Sequence, residues 1–338
     1  MRILYISLCI SLILLIMPTT EAKIVFSAKQ NGISNIYVMD DNGRNIKQLT
    51  DNTYWEGIAR WTPNGRSIAF VRGAIPDQNI IRNIYMMTSD GAYVKHLTDR
   101  DAFIRDLRVS PNGKTLMYST GGDGPNLVDI DTKESKKLLV GHVVNCDWSP
   151  DGKQIVYVND DHGFIVQHLW MIDANGDNNR AWVKPDPERG IIDHYYPRWS
   201  PDGKQMLYIE MDMIPILKKD EQQRVVASGK RAAGTYRIVI HNINDDTIQT
   251  LKIPETWSMS SLAWMDDQRS VLFCARDNDT PNGQPIVSKI YKYDIATDEL
   301  TFLTEGSSAD WNAGELSVSP AGKQSVRWGE LKKSHLGM

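Results

Sequence analysis

The chain has 338 residues, with 38 Lys and Arg against 42 Asp and Glu, for a formal net charge of −4. That balance argues against nucleic acid as the main partner, because binding phosphates needs a basic face. Three cysteines are too few for a disulfide-stapled scaffold, and the length is ample for one large domain.

Taken in chain order, the first 22 residues read as a secretory signal. Arg2 precedes an apolar run over residues 3–17, and Thr20, Glu21 and Ala22 form a small-residue exit. The run is short and interrupted by serines, so it is not read as a membrane span, and Cys9 has no lipoprotein signal around it. The expected product is an exported chain, periplasmic or extracellular, covering residues 23–338 with no membrane span. Its charge is 37 bases minus 41 acids, again −4. Cys146 and Cys274 remain; they fall on strands of different repeats and are read as buried small hydrophobes.

From Lys23 the strand KIVFSA begins a series of repeats. A tight turn then recurs: WTPNGR at 61, VSPNGK at 109, WSPDGK at 148 and again at 199, WMDDQR at 264 and VSPAGK at 318. Each is followed by a short apolar strand, such as SIAFVR from Ser67 or QIVYVN from Gln154. Proline presets φ and glycine supplies the left-handed conformation that a bulged hairpin needs. The copy at Trp264 has Asp266 for Pro and Gln268 for Gly, so it must use another geometry or carry strain. Between these turns lie period-2 strands ending in Asp/Asn/Gly turns (NIYVMDDNG, NIYMMTSDG, LWMIDANGD), and endings such as QLT at 48 and FLT at 302 mark a fourth strand. One unit thus holds four strands, A to D from the centre outward.

The anchors are 48, 39, 51, 65 and 54 residues apart, and a four-stranded blade needs about 40 to 45. The expected fold is all-β, a six-bladed β-propeller of four-stranded antiparallel blades. The first strand has no turn before it and the last turn has no C or D strand after it. The N-terminus should therefore supply B, C and D, and the C-terminus A, to one shared blade. QSVRWG at 324–329 is left open as a competing strand or a tail.

The W-S-P-D-G-K turn, the Y/F-bearing B strand and the I-Y-x-x-D-x-x-G C strand resemble the propeller repeats of the TolB family of exported bacterial proteins. The resemblance covers essentially all of residues 23–338. It implies a six-bladed propeller and, for the eponymous member, a periplasmic adaptor that binds an outer-membrane lipoprotein and other envelope proteins. That member has an α/β domain ahead of its propeller, whereas the first blade strand here follows the predicted cleavage site, so the likeness is to the propeller alone. Related propellers precede a hydrolase domain in prolyl-oligopeptidase-type enzymes, but this sequence holds no G-x-S-x-G elbow.

Few residues suggest chemistry. Asp173, Asn175 and Asp177 mimic the start of a calcium loop, but Asn178 and Lys184 stand where Gly and Glu are needed, so a hairpin turn is expected. The acid pairs Asp40–Asp41, Asp245–Asp246 and Asp266–Asp267 fall in turns and should cap backbone donors. Trp61, Trp148, Trp199 and Trp264 share one repeat position and should pack between blades. His162, His168 and His194 could converge, and pectate-oligomer lyases with related propellers use a His-rich metal site. The alternative function is therefore a metal-dependent carbohydrate lyase or hydrolase.

The D-to-A and B-to-C loops gather on one face around the central channel. Tyr54, Trp55, Glu56, Phe103, Arg105, Asp106, His142, His194, Tyr195, Tyr196, Trp257, Trp311 and Asn312 are all expected just ahead of A strands on that face. Aromatics with Arg and Asp there suit a peptide or protein surface. The longest insertion, residues 211–234, carries five basic against three acidic residues and reads as a partner-binding arm or a disordered excursion. The leading expectation is an exported, non-catalytic binding module without a cofactor, taking a protein or peptide partner in the cell envelope. A small ligand held in the channel is the third reading.

Overall fold

The B strands explain the architecture. Their fourth residues are Phe26, Phe70, Tyr118, Tyr157, Tyr208 and Phe273, and each is at most 1% exposed. The second and third residues of the same strands, such as Ile155 and Val156, are equally buried. A strand buried on both faces needs a cover on each side. Here the cover is the neighbouring blade, and hydrophobic clusters fill the spaces between consecutive blades.

The computed structural model describes residues 23–73, 82–99, 103–120, 124–139, 141–160, 167–183, 192–219, 225–265, 268–279 and 287–313, with backbone alone at Asp160, 213–219 and 225–233. Blade 1 contains β1 (Lys23–Gln30), β2 (Ile33–Asp40) and β3 (Lys47–Gln48). Blade 2 is β4 (Trp55–Trp61), β5 (Ser67–Gly73), β6 (Arg82–Thr88) and β7 (Val94–His96). Blade 3 is β8 (Asp106–Val109), β9 (Thr115–Ser119), β10 (Pro125–Asp129) and β11 (Ser135–Lys137). Blade 4 is β12 (Val143–Trp148), β13 (Gln154–Asp160), β14 (Gln167–Asp173) and β15 (Arg180–Ala181). Blade 5 is β16 (Ile192–Trp199), β17 (Gln205–Lys219), β18 (Val225–Asn242) and β19 (Ile248–Thr250). Blade 6 is β20 (Trp257–Met265), β21 (Ser270–Asp277), β22 (Lys289–Asp294) and β23 (Glu299–Glu305). The last described strand, β24 (Ser307–Asn312), pairs with β1 and makes blade 1 four-stranded, closing a six-bladed propeller of antiparallel sheets.

The closing strand corrects one expectation. Trp311 and Asn312 are expected just ahead of the last A strand, yet that strand is β24 and they form its end. Trp311 faces Ile24 across the sheet, as Trp148 faces Ile155 in blade 4. Trp311 is therefore the fifth repeat tryptophan and fills the sixth repeat position, Val109 standing in blade 3; it lies 47 residues after Trp264 (311 − 264). The motif at 318 and QSVRWG lie outside the described residues.

The repeated turn works as its chemistry predicts. In blade 4 the Ser149 hydroxyl accepts from Gln154 N at 2.9 Å and donates to Asp151 Oδ1 at 2.7 Å, while Lys153 N donates to the same carboxylate at 3.1 Å. The same contacts recur around Asn112 and Asp202. Gly65, Gly113, Gly152 and Gly203 hold φ between 68° and 73°. Gln268, at the same repeat position, sits at φ 74°: the exceptional turn keeps the glycine geometry and carries the strain of a side chain there.

One of the two readings of the insertion at 211–234 is corrected. Its described residues form no disordered excursion: β17 runs 15 residues and β18 runs 18, and their antiparallel pairing continues from Met213↔Ala233 to Lys219↔Val225, an arm of two strands. Two register shifts, at Met211/Met213 and Pro215/Leu217, break the ribbon's regularity. Of the acid pairs, Asp245 accepts from Thr247 N as expected, whereas Asp40 accepts from the Lys23 and Asn45 side chains instead of backbone donors, and Asp266–Asp267 lie outside the described residues. The hairpin after β14 is closed by Gly176 N to Asp173 O at 2.9 Å, and Asn178 Nδ2 donates to Asp173 at 2.6 Å. Cys146 and Cys274 are free and buried, and burial pushes both thiols up, Cys274 to about 11. Trp61, Trp148, Trp199 and Trp264 pack into the clusters between blades.

Candidate functional site: a loop-face cleft above a closed channel

The A strands line the axis, and most carry a β-bulge. Register shifts fall between Gly57 and Arg60, Val143 and Cys146, Tyr195 and Arg198, and Ser260 and Leu262. Ile58, Tyr196, Ser261 and Ser308 take positive φ near these points. A bulge twists the strand and re-aims the residues after it. The residue before each repeat tryptophan, or before Val109 in blade 3, belongs to one axial layer: Arg60, Arg108, Asp147, Arg198, Ala263 and Asp310.

Asp106 joins this layer and completes a buried network. Arg60 Nη2 and Arg198 Nη2 each lie 3.1 Å from the two carboxylate oxygens of Asp106, which is 0% exposed. Arg108 bridges Asp310 at 3.1 Å and Asp147 at 3.6 Å. The second oxygens of Asp310 and Asp147 accept from Trp61 N and Trp199 N, both at 3.0 Å. Leftover guanidinium donors reach carbonyls: Arg60 to Ser308 O at 2.9 Å, and Arg198 to Leu262 O at 3.0 Å. Three cations meet three anions, so the buried charges cancel. Burial alone would raise the Asp106 carboxyl, but Arg198, Arg108 and Arg60 outweigh it and hold it down at about 2. Burial also draws Arg60 down to about 10 and pushes Asp147 up from its ordinary value. These side chains meet at the axis, where the third reading puts a small ligand.

Directly above lies a cleft of about 290 Å³ on the loop face. Ile58, Asn145 and Tyr196 line it, each two residues ahead of a member of the ionic layer on the same strand. Its rim comes from Trp55 at the start of β4, Arg82 at the start of β6, Phe103 and Arg105 ahead of β8, and Tyr195 on β16. The Arg82 guanidinium stands 4.4 Å from the ring of Trp55 and 4.4 Å from that of Phe103, and Arg105 is 5.2 Å from Phe103. Phe103 is nonetheless 47% exposed. Tyr195 donates to Asp193 at 3.2 Å, and burial followed by that carboxylate raises its pKa.

Of the residues expected on this face, Trp55, Arg105 and Tyr195 therefore meet in one cleft. Glu56 and Asp106 are buried instead. Glu56 accepts from Arg72 Nε at 2.6 Å and from Asn52 at 3.0 Å, and Asp106 belongs to the ionic layer. His142 is exposed beside β12, and Trp257 packs 4.6 Å from Tyr291 between blades. Trp311 and Asn312 are misplaced by the sequence reading. They end the A strand at the opposite face, where Asn312 Nδ2 donates to Thr62 O at 3.2 Å in the first repeat turn. Sequence reasoning missed Arg82 and the ionic layer. Aligning the residue before each repeat tryptophan (ARW, CDW, PRW, ADW) would have exposed the layer; Arg82, after a variable insertion, has no such signal.

His168 and His194 do come together, with rings 5.7 Å apart, across the boundary of blades 4 and 5. His194 is 4% exposed, with Nδ1 3.2 Å from Gln167 O and Nε2 4.0 Å from Glu210. Glu210 is in turn 3.6 Å from Arg237, which pairs with Asp212 through two nitrogens. His162 lies outside the described residues. Among those described, no group of three or more His, Cys, Asp or Glu is placed to hold a metal ion.

Fold and site thus define a closed β-propeller that presents an aromatic and arginine-lined cleft over an ion-filled axis. Residues 17–190, just over half the chain, match the TolB beta propeller domain, and the chain belongs to that family. TolB from Acinetobacter baumannii superposes with a TM-score of 0.63 at 16% identity, over 87% of this chain and 67% of that one. A putative TolB from Agrobacterium tumefaciens gives 0.55 at 14%, over 86% and 91%. An oligogalacturonate lyase in complex with manganese gives 0.51 at 14%, over 84% and 74%. At these identities the likeness is one of fold. The sequence matches no curated protein, and no helix among the described residues is long and apolar enough to cross a membrane.

Proposed function

We propose that this propeller is an exported, non-catalytic binding module that receives a protein or peptide partner of the cell envelope in its loop-face cleft. The observation that carries the reading is the cleft itself: Trp55, Phe103, Tyr195 and two arginines converge over a floor of buried ion pairs. Aromatic and arginine side chains held by their own packing are the residue types that dominate binding energy at protein interfaces. The floor is rigid and charge-neutral, so it anchors the rim without competing for the partner. Family membership supports a binding propeller, and the leader-like residues 1–22 support export. A metal-dependent carbohydrate lyase or hydrolase, the other reading, has only the His168–His194 pair on its side and no convergent carboxylate chemistry in the cleft.

A pull-down from envelope extract tests the proposal. Replacing Trp55, Arg105 and Tyr195 together by alanine is expected to lower retention of the specific partner by about a hundredfold, two hot-spot losses of about 1.4 kcal/mol each. Undiminished retention of every partner by a folded triple variant would overturn it.

A further inference from the structure

We propose that the cleft selects an acidic peptide segment, with an Asp or Glu side chain of the partner held between Arg82 and Arg105; this rests on the binding-module reading above. Most arginines near the axis and loop face are already neutralised. Arg72 is tied to Glu56, Arg237 to Asp212, and the axial arginines to Asp106, Asp147 and Asp310. Arg82 and Arg105 differ. Among the described residues neither meets a carboxylate, and the described lining of the cleft contains no acid. Arg82 makes one long hydrogen bond, Nη1 to Ile104 O at 3.4 Å, and its Nε has no acceptor among the described residues.

The geometry suits capture of an oxyanion. Stacking between Trp55 and Phe103 fixes the plane of the Arg82 guanidinium before any ligand arrives, so little side-chain entropy remains to be lost on binding. Arg105, exposed and leaning on the same Phe103 ring, brings a second fork to the site. Two guanidinium groups that meet no carboxylate among the described residues, over a floor whose net charge is zero, leave a local positive potential in a protein that is acidic overall. The remaining walls decide between carriers of the acid. Ile58, Ile104 and Val144 are apolar, the Tyr195 hydroxyl already donates to Asp193, and Asn145 Oδ1 already accepts from Tyr196 N. Gln167 Oε1 also lines the cleft and has no donor among the described residues. A uronic acid could offer it one hydroxyl but would leave the others against the apolar walls, whereas an acidic residue beside an apolar one fills those walls and offers it a backbone N–H. The volume suits roughly one or two side chains.

The test uses the full chain and two blocked hexapeptide pools, identical except that one fixed position is Glu in the first and Gln in the second, with galacturonate oligomers as competitor. Fluorescence anisotropy is expected to show the Glu pool binding about tenfold tighter or more, as a charge-assisted contact implies. That preference should shrink as salt is raised. It should vanish in both Arg82→Gln and Arg105→Gln; the exposed Arg105 decides alone if the Arg82 variant is unfolded. Equal binding of the two pools, abolished by Trp55→Ala, would overturn acid selection while leaving the binding module standing. Failure of both pools together with loss of any specific envelope partner would overturn both readings. Binding of the oligomers with no binding of either pool would also overturn the peptide inference.

Discussion

Asp106 shows what one residue does here. It is fully buried, where an isolated carboxylate would be neutral, yet Arg60 and Arg198 each contact one of its oxygens and keep it ionised. Removing one partner of such a group costs more than the pair is worth, because the remaining charges stay buried and unmatched. Asp106→Asn is expected to lower stability to urea by about 3 to 5 kcal/mol at neutral pH; a loss within about 0.5 kcal/mol, the surface-mutation range, would refute the network's role. The same residue sets a pH dependence. Its folded pKa, about 2, is depressed below the unfolded value, so its contribution is present above about pH 4 and lost as pH falls through about 2. By linkage this is worth about 2 kcal/mol. Asp147, raised by burial, has the opposite sign and regains stability as it protonates, so the net decline is smaller. Urea titrations at stepped pH from 5 to 2 should show a steeper fall for the wild type than for Asp106→Asn.

At the scale of the element, the repeat turn and the one copy that breaks its rule give paired expectations. Gly113 holds φ 72°, and a Cβ built there meets nothing within 4 Å, so Gly113→Ala isolates backbone strain and should cost about 1 to 2 kcal/mol. Gln268 occupies the same conformation with a side chain. Its replacement by Gly should recover up to about 1 kcal/mol, reduced by the lost hydrogen bond to Asp202. Thermal melts of the two variants should move in opposite directions; a drop in both would mean that the Gln268 side chain matters more than its backbone. The hairpin of β17 and β18 makes a different point about elements. Their pairing continues far past the blade, so the insertion extends existing strands instead of interrupting them.

For the whole molecule, closure is the decisive event. β24 gives β1 its inner neighbour, supplies Asp310 to Arg108 and to Trp61 N, and offers Ser308 O to Arg60. Contacts that span 202 to 249 residues of sequence therefore join blades 1, 2 and 3. Ending the chain before Ser307 removes all of them at once and exposes the inner edge of blade 1. The truncated chain is expected to lose its cooperative thermal transition and to scatter as an expanded particle. Retention of a sharp transition at the full-length temperature would show that the ring holds without its closing strand.

The chain by itself determined the repeat, the strand order within a blade and the closed ring, because these depend on local chemistry. Ser, Asp and Gly make the turn from their own side chains and φ preference, and a strand as apolar as QIVYVN must be covered on both faces. The family resemblance was legible for the same reason, since its signature residues are the core and turn positions of every blade. Trp55, Arg105 and Tyr195 could be placed on the loop face because each comes well before the repeat turn that ends its A strand; Arg105 precedes β8, while Trp55 opens β4 and Tyr195 lies within β16. Only the tertiary structure decided which of the polar residues stay available. Glu56 and Asp106 carry the same charge near the start of their A strands, yet Arg72 and the axial arginines consume them, while Arg82, reached through a variable insertion, ends beside Phe103 and meets no acid among the described residues. Trp311 was misread because its meaning depends on pairing with Ile24, nearly the full length of the described chain away. Local sequence specifies conformation through short-range sterics and hydrogen bonds. Which charges cancel and which remain is set by distances between blades, and those exist only once the ring has closed.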